Sequence, residues 1–328
     1  MNPLFSTLKR TRFGLRPLWA AFFLPTSSDR EASFHRFARA AIGLILILRL
    51  SALLPDAGFF FSDQGPLPTA DAVRAMPFMS SLWIELAPDS PTGAWVYTLG
   101  TLLIAAFGVF GLGVCPRILN PVRGLRPQLT QQISEILARF SLLWVLLYFC
   151  IMFSRNDLLW NSADKYLYII TLFLALSPRS VPWGRRMIQI QSSILYLSTV
   201  LHKFEGPMWR NGTATYPVLQ LPEFFHGPLG PLRSSSLFVA SSTWGTLVIE
   251  AALCTLIWFP RLRLPLAAAG VVFHLSLDYA LNIPLFPWIS SMALLAHAWP
   301  ELSRHFNSLG TRPWRQKPLP SVSMSSTQ

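Results

Sequence analysis

Tyr196, Thr199 and Lys203 are spaced i, i+3 and i+7 in the stretch IQSSILYLSTVLHKFEGPMWRNGTATY (residues 190–216), so a helix through them carries all three on one face. A lysine closing such a row, at the end of an apolar run, has two uses. It can keep its charge by reaching along its stem to water. Partly desolvated, it can instead lose enough basicity to act as a proton acceptor. Trp209 and Tyr216 follow as candidate interfacial anchors, and Gly206, Pro207 and Gly212 turn the chain back over the helix end.

Four more ionisable residues, Arg49, Glu250, His274 and Asp278, fall inside apolar runs. A charge near a bilayer centre costs about 2.5–3.5 kcal/mol or more, so each needs a partner or a purpose. At about 1.5 Å of rise per residue, Arg49 lies about 16 Å into its run, while His274 and Asp278 lie about 15 and 21 Å into theirs from the same side. His274 and Asp278 also share a helix face. Arg49 with Asp278 is therefore the expected buried pair, with His274 beside it. Glu250, about 20 Å into its own run from the opposite side, has no evident partner. These groups read either as a structural clamp or as the polar path of a transporter. Cys115, Cys150 and Cys254 have neither CxxC spacing nor flanking histidine, so no metal site is expected.

The elements that must position these groups are apolar. Of the 328 residues, 52% are hydrophobic and 13% charged, where a soluble domain carries roughly a quarter charged residues. The expected fold is an all-α, polytopic transmembrane bundle of eight spans, at 38–54, 95–114, 138–154, 160–177, 187–203, 237–259, 264–281 and 284–300. Twenty Lys and Arg fall in the segments on the N-terminal side of this division and six on the other, which places both termini in the cytoplasm. The net charge of +12 then reads as a topology signal, with no nucleic-acid partner. Residues 1–37 form a basic cytoplasmic segment with no cleavable signal, 38–300 the membrane domain, and 301–328 a cytoplasmic tail with a disordered end. Two long external segments, 55–94 and 204–236, are rich in Pro, Gly and Ser; Trp83 and Phe78 mark an interfacial stretch in the first.

Three passages, LLWNSADKYLYIITLFLAL (158–176), LYLSTVLHKFEGPMWRNGTA (195–214) and VVFHLSLDYALNIPLFPW (271–288), resemble the HTTM (horizontally transferred transmembrane) domain family, which includes the vitamin K-dependent gamma-carboxylase. The opening RAAIGLILILRL and the loop FFFSDQGPLP are also similar, so the resemblance spans roughly residues 35 to 300. It implies that Lys203 is a base toward a reduced quinone, that His274 matches a family histidine, and that Asp164 stands where the carboxylase has a histidine. A carboxylate there cannot be the same neutral donor unless protonated. The short sequence after the last span offers no counterpart of the carboxylase's large luminal region, which argues against glutamate carboxylation. Three functions follow as expectations: a carboxylase-like enzyme acting at the external face on a lipid-soluble quinol or peptide, a maturation or export partner of a secreted peptide or small accessory protein, and a transporter. By similarity to bacterial HTTM proteins, the expected location is the bacterial inner (cell) membrane, with lipid as the surrounding partner.

Overall fold

The computed structural model describes residues 29–75, 82–112, 127–156, 159–225, 227, 229–281, 283 and 285–310. The basic segment 1–28, the tail from 311, Phe78 and Cys115 lie outside these residues. Among the described residues there is no strand, only an isolated bridge between Phe225 and Leu281. The helices are α1 (Asp29–Leu53), the short α2 (Ala57–Phe60) and α3 (Thr69–Ala75), α4 (Pro91–Ile104, continued by a π-helical turn Ala105–Gly111), α5 (Pro127–Arg155) and α6 (Ser162–Leu176). After them come α7 (Trp183–Glu205), the short α8 (Pro207–Arg210) and α9 (Thr215–Gln220), α10 (Ser236–Thr255), α11 (Pro260–Ala280) and α12 (Phe286–Gly310).

The long helices α1, α4, α5, α6, α7, α10, α11 and α12 coincide with the eight apolar segments of the sequence. Three stretches, Pro91–Gly111, Leu129–Arg155 and Ser236–Trp258, are long and apolar enough to cross a membrane. The outer surface agrees with that. Leu237, Val248 and Val272 are each more than two thirds exposed, as is Phe107, which suits lipid far better than water. The chain therefore fits a membrane protein. Its buried core runs along α12, where Ile289, Ala293 and Ala296 are inaccessible, and meets Leu46 and Leu50 of α1, Phe149 of α5 and Leu167 of α6.

Helix ends depart from the apolar boundaries where charges find partners. α1 is already helical at Asp29, ahead of 38, and Glu31 on that added stretch receives two hydrogen bonds from Arg185 (2.9 and 2.8 Å); α5 is likewise helical ahead of 138, where Glu135 accepts from Arg39 at 2.6 and 2.7 Å. α12 likewise continues past 300, where Glu301 accepts from Arg263 at 3.1 Å. Once paired, these groups no longer exclude their turns from the packed bundle.

Gly43 of α1 lies against the π-helical turn, where a Cβ would stand 2.6 Å from the Phe110 backbone nitrogen. Small residues let membrane helices approach this closely. Gly43→Ala is expected to cost about 1–3 kcal/mol through overpacking, measured by detergent-titrated unfolding. Gly100→Ala, where a Cβ meets nothing within 4 Å, should be neutral in the same assay.

The first long loop is tied to α5 by Arg155, which is fully buried and donates to Asp63 (2.6 Å) and to the Leu67 carbonyl. Hydrogen bonds from the Thr69 side chain and backbone, followed by the Arg155 charge, hold the Asp63 carboxyl below the usual carboxylate range. A depressed folded-state pKa stabilises the loop above the ordinary carboxylate pKa, and that stabilisation is lost as pH falls through the depressed value. Hydrogen-exchange protection factors of residues 63–75, corrected for the intrinsic pH dependence of exchange, should therefore be high at neutral pH and fall in acid below the ordinary carboxylate pKa. Asp63→Asn should remove most of that pH dependence.

Candidate functional site

α7 ends because Gly206 leaves helical geometry and Pro207 begins α8, so the chain turns over the Lys203 side chain and does not run straight outward. α9 then packs on α10: Thr215 Oγ1 contacts Ser242 Oγ (2.8 Å) and Thr243 Oγ1 (2.9 Å), and donates to the Val239 carbonyl (3.0 Å). Gly212 takes a left-handed φ of 79° in this turn, and a Cβ there would stand 3.1 Å from the Trp244 ring. The second loop thus covers the end of α7 and leans on the outer half of α10.

Under this cover Lys203 Nζ donates to both carboxylate oxygens of Glu250. The Glu250 side chain is 9% exposed and that of Lys203 20%. Thr199 Oγ1 donates to Glu250 Oε2 at 3.3 Å, and the Trp209 ring centroid lies 4.9 Å from Nζ, a cation–π distance. One helical turn deeper, the Tyr196 hydroxyl and His274 Nε2 are 2.7 Å apart, both residues 2% exposed. Phe273 and Phe286 meet the His274 ring edge-on. Three buried polar atoms, His274 Nδ1, Tyr166 Oη and Ser290 Oγ, have no hydrogen-bond partner among the described residues.

The face expected of Tyr196, Thr199 and Lys203 is therefore a real one, and it is aimed at α10 and α11. The partner that the sequence left open for Glu250 is Lys203. Depth reckoned along each apolar run hid the pair. Glu250 lies about 21 Å along α10 from Ser236 by helical rise, yet it is level with the last turn of α7, because α8 and α9 fill the space beside the outer part of α10.

A cavity of about 670 Å³ opens beside the pair. Lys203, Glu250 and Trp209 line it; the rest of its wall is mostly apolar, with Val218, Phe238, Phe273 and Leu277 among the lining residues, and carries the hydroxyls of Thr215, Ser242, Thr246 and Ser276. Gly245 faces open space, where an added Cβ meets nothing within 4 Å. An apolar pocket with a few convergent polar groups is the usual form of a small-molecule site. Among the described residues no group of three or more His, Cys, Asp and Glu stands close enough to hold a metal ion.

Comparison with known protein families, with characterised proteins and with solved structures finds no match. The site is thus read on its own geometry.

Arg49 and Asp164 form a second, separate cluster. The expected Arg49–Asp278 pair is corrected: Arg49 Nε and Nη2 donate to the two oxygens of Asp164 at 2.7 and 2.8 Å, and Nη2 also donates to the Leu159 carbonyl at 3.1 Å. Overlapping depths could not tell which helix lies beside which, and α1 packs against α6. Asp164 is also the third residue of a capping box with Asn161 at the start of α6, so its carboxylate is committed to structure there. Asp278 instead accepts from the Trp288 indole at 3.2 Å. Removing one partner of a buried pair leaves an uncompensated charge. Asp164→Ala is expected to destabilise by about 3–5 kcal/mol, while Asp278→Asn should cost under about 1 kcal/mol, both read from detergent-titrated unfolding.

Proposed function

We propose that this chain is an HTTM-type integral membrane protein of eight spans with cytoplasmic termini, seated in a bacterial cell membrane. In this reading the Lys203–Glu250 pair performs acid–base chemistry on the hydroxyl of a lipid-soluble ligand of the quinol class. The observation that carries it is the pair itself, buried under α8 and α9 and lining a mostly apolar cavity of about 670 Å³. The residues fit such a ligand: the aromatic and aliphatic walls suit a ring and an isoprenoid tail, and the Lys203–Glu250 pair suits its hydroxyl. A quinol bound there supplies a weakly acidic hydroxyl and reducing equivalents.

The chain's own part is to hold and move a proton. As an ion pair, Lys203 is an ammonium and Glu250 a carboxylate; transfer of one proton from Nζ to Oε1 turns them into an amine and a carboxylic acid with no change in total charge. The proposed step starts from the neutral arrangement, in which neither partner carries a charge beside the ligand. Lys203 then accepts the hydroxyl proton and, as an ammonium again, stands beside the negative charge that remains, while Glu250 keeps the first proton. Trp209 restrains the ammonium by its ring face, and Thr199 orients Glu250. A transporter path fits less well, because Arg49 is committed to Asp164 and Asp278 to Trp288, so the polar groups divide into clusters.

Solvent extraction of the purified protein followed by mass spectrometry is expected to recover a quinone. Gly245→Phe, which fills open space, should abolish that recovery without loss of folded protein. Lys203→Ala should retain the ligand while lowering turnover by about 10²–10⁴-fold, the usual contribution of a positioned base. No extracted quinone from the parent protein, or undiminished quinone in Gly245→Phe, would overturn the reading.

A further inference from the structure

At the opposite end of α7 from Lys203, the ends of α1, α7, α11 and α12 gather guanidinium groups faster than carboxylates. Glu31 is saturated: Arg185 holds both its oxygens, and Arg30 Nε lies 3.5 Å from Oε1. Glu301 is shared by Arg263 at 3.1 Å and Arg304 at 3.7 Å. Among the described residues Arg186 forms no salt bridge with a carboxylate and donates to the Gln189 side chain, at 3.2 Å. It is half-buried, within electrostatic reach of Arg185, Glu31, Arg263 and Arg30, so among the described residues five arginines here, Arg304 included, share Glu31 and Glu301. Burial, then the neighbouring Arg185 charge, lowers the Arg186 pKa, as expected of a cation held near others.

A second observation points to a ligand. Arg185 is 2% exposed, and its Nη1, buried from solvent, has no hydrogen-bond partner among the described residues; Arg30 Nε has only its 3.5 Å ionic contact with Glu31, and on the acidic side Glu301 Oε2 is also without a hydrogen bond. An unmet guanidinium donor costs the desolvation of a charged group, so its retention calls for an anion. Basic pockets between membrane helices recognise phosphate in this way, because the planar fork of arginine matches two phosphate oxygens. The indole-bearing Trp258 lies at the same helix ends, its carbonyl accepting from Arg263 Nη2 at 3.3 Å, as befits a headgroup level.

We propose that Arg186, with Arg30, Arg185 and Arg263, forms a binding site for an anionic phosphate group at this end of the bundle. The phosphodiester of an acidic phospholipid and free inorganic phosphate share that chemistry, and the experiment separates them. The site is independent of the Lys203 cavity, and the proposal stands whether or not that cavity holds a quinol.

Full-length protein is reconstituted in mixed phosphatidylcholine and phosphatidylglycerol vesicles, released, and examined by native mass spectrometry with and without inorganic phosphate. The parent protein is expected to retain phosphatidylglycerol in preference to phosphatidylcholine. Arg186→Gln should reduce that retention about fivefold, the loss of one basic contact near an anionic headgroup. Arg30→Gln, at a more exposed position, should do so in the same direction, and Arg210→Gln, at the far end of the bundle, should not. Thermal unfolding of each variant reports that it is folded. Phosphatidylglycerol that survives added phosphate assigns the site to lipid; displacement by phosphate, with stabilisation in pure phosphatidylcholine, assigns it to the soluble ion. Equal retention of both lipids with no stabilisation by phosphate, or undiminished binding in both Arg186→Gln and Arg30→Gln, would overturn the proposal.

Discussion

No water is available inside an apolar helix bundle to solvate a charge, so each charge must bring its counter-charge with it. That constraint arranges this molecule. Arg49 joins α1 to α6, Arg39 joins α1 to α5, Arg185 joins α7 to α1, and Lys203 joins α7 to α10. Each pair links helices far apart in sequence. Hydrophobic packing alone is non-directional and would accept several orders of apolar helices around α12; the pairs penalise orders that separate the charges. Replacing such pairs by apolar residues need not reduce stability, so their contribution is better described as specifying neighbours than as holding the bundle together.

The order of helices was legible in the sequence because each apolar run is long and the segments between them are marked by Pro, Gly and charge. The ends were less so. Glu31, Glu135 and Glu301 lie just outside the apolar runs, yet each sits in a helix and pairs with an arginine from elsewhere. Periodicity correctly placed Tyr196, Thr199 and Lys203 on one face, since that depends only on local helical geometry. Which helix the face would meet was not legible, because depth along a run is one coordinate and contact needs three. Arg49 shows this directly: Asp278 lay near its depth, and Asp164 lay beside it.

The cover over Lys203 shows how irregular chain can sit beside a membrane helix. Backbone groups of α8, α9 and their turns need partners if water is scarce. Hydrogen bonds within the turn supply some: Thr213 N donates to the Met208 carbonyl at 2.8 Å and Tyr216 N to the Thr213 carbonyl at 3.1 Å. Side chains on α10 supply others, Thr243 Oγ1 accepting from Thr215 N at 3.2 Å. The Phe225–Leu281 bridge fixes the far end of the loop to the turn after α11. A segment rich in turn residues thereby becomes a wall of the cavity.

The chemistry of the cations separates the candidate site from the clamps around it. Arg39, Arg49 and Arg185 carry guanidinium groups that do not deprotonate in proteins, so their pairs can only be made or broken. The pair at Glu250 uses lysine, whose amine yields a proton readily when desolvated. It is also the pair that borders the large apolar cavity, and its cation remains 20% exposed at that border. A clamp gains nothing from lysine at such a place, because arginine would bind the carboxylate in a more rigid, two-pronged geometry. A proton-transfer site does gain, since the lone pair that lysine can expose is one that arginine never presents.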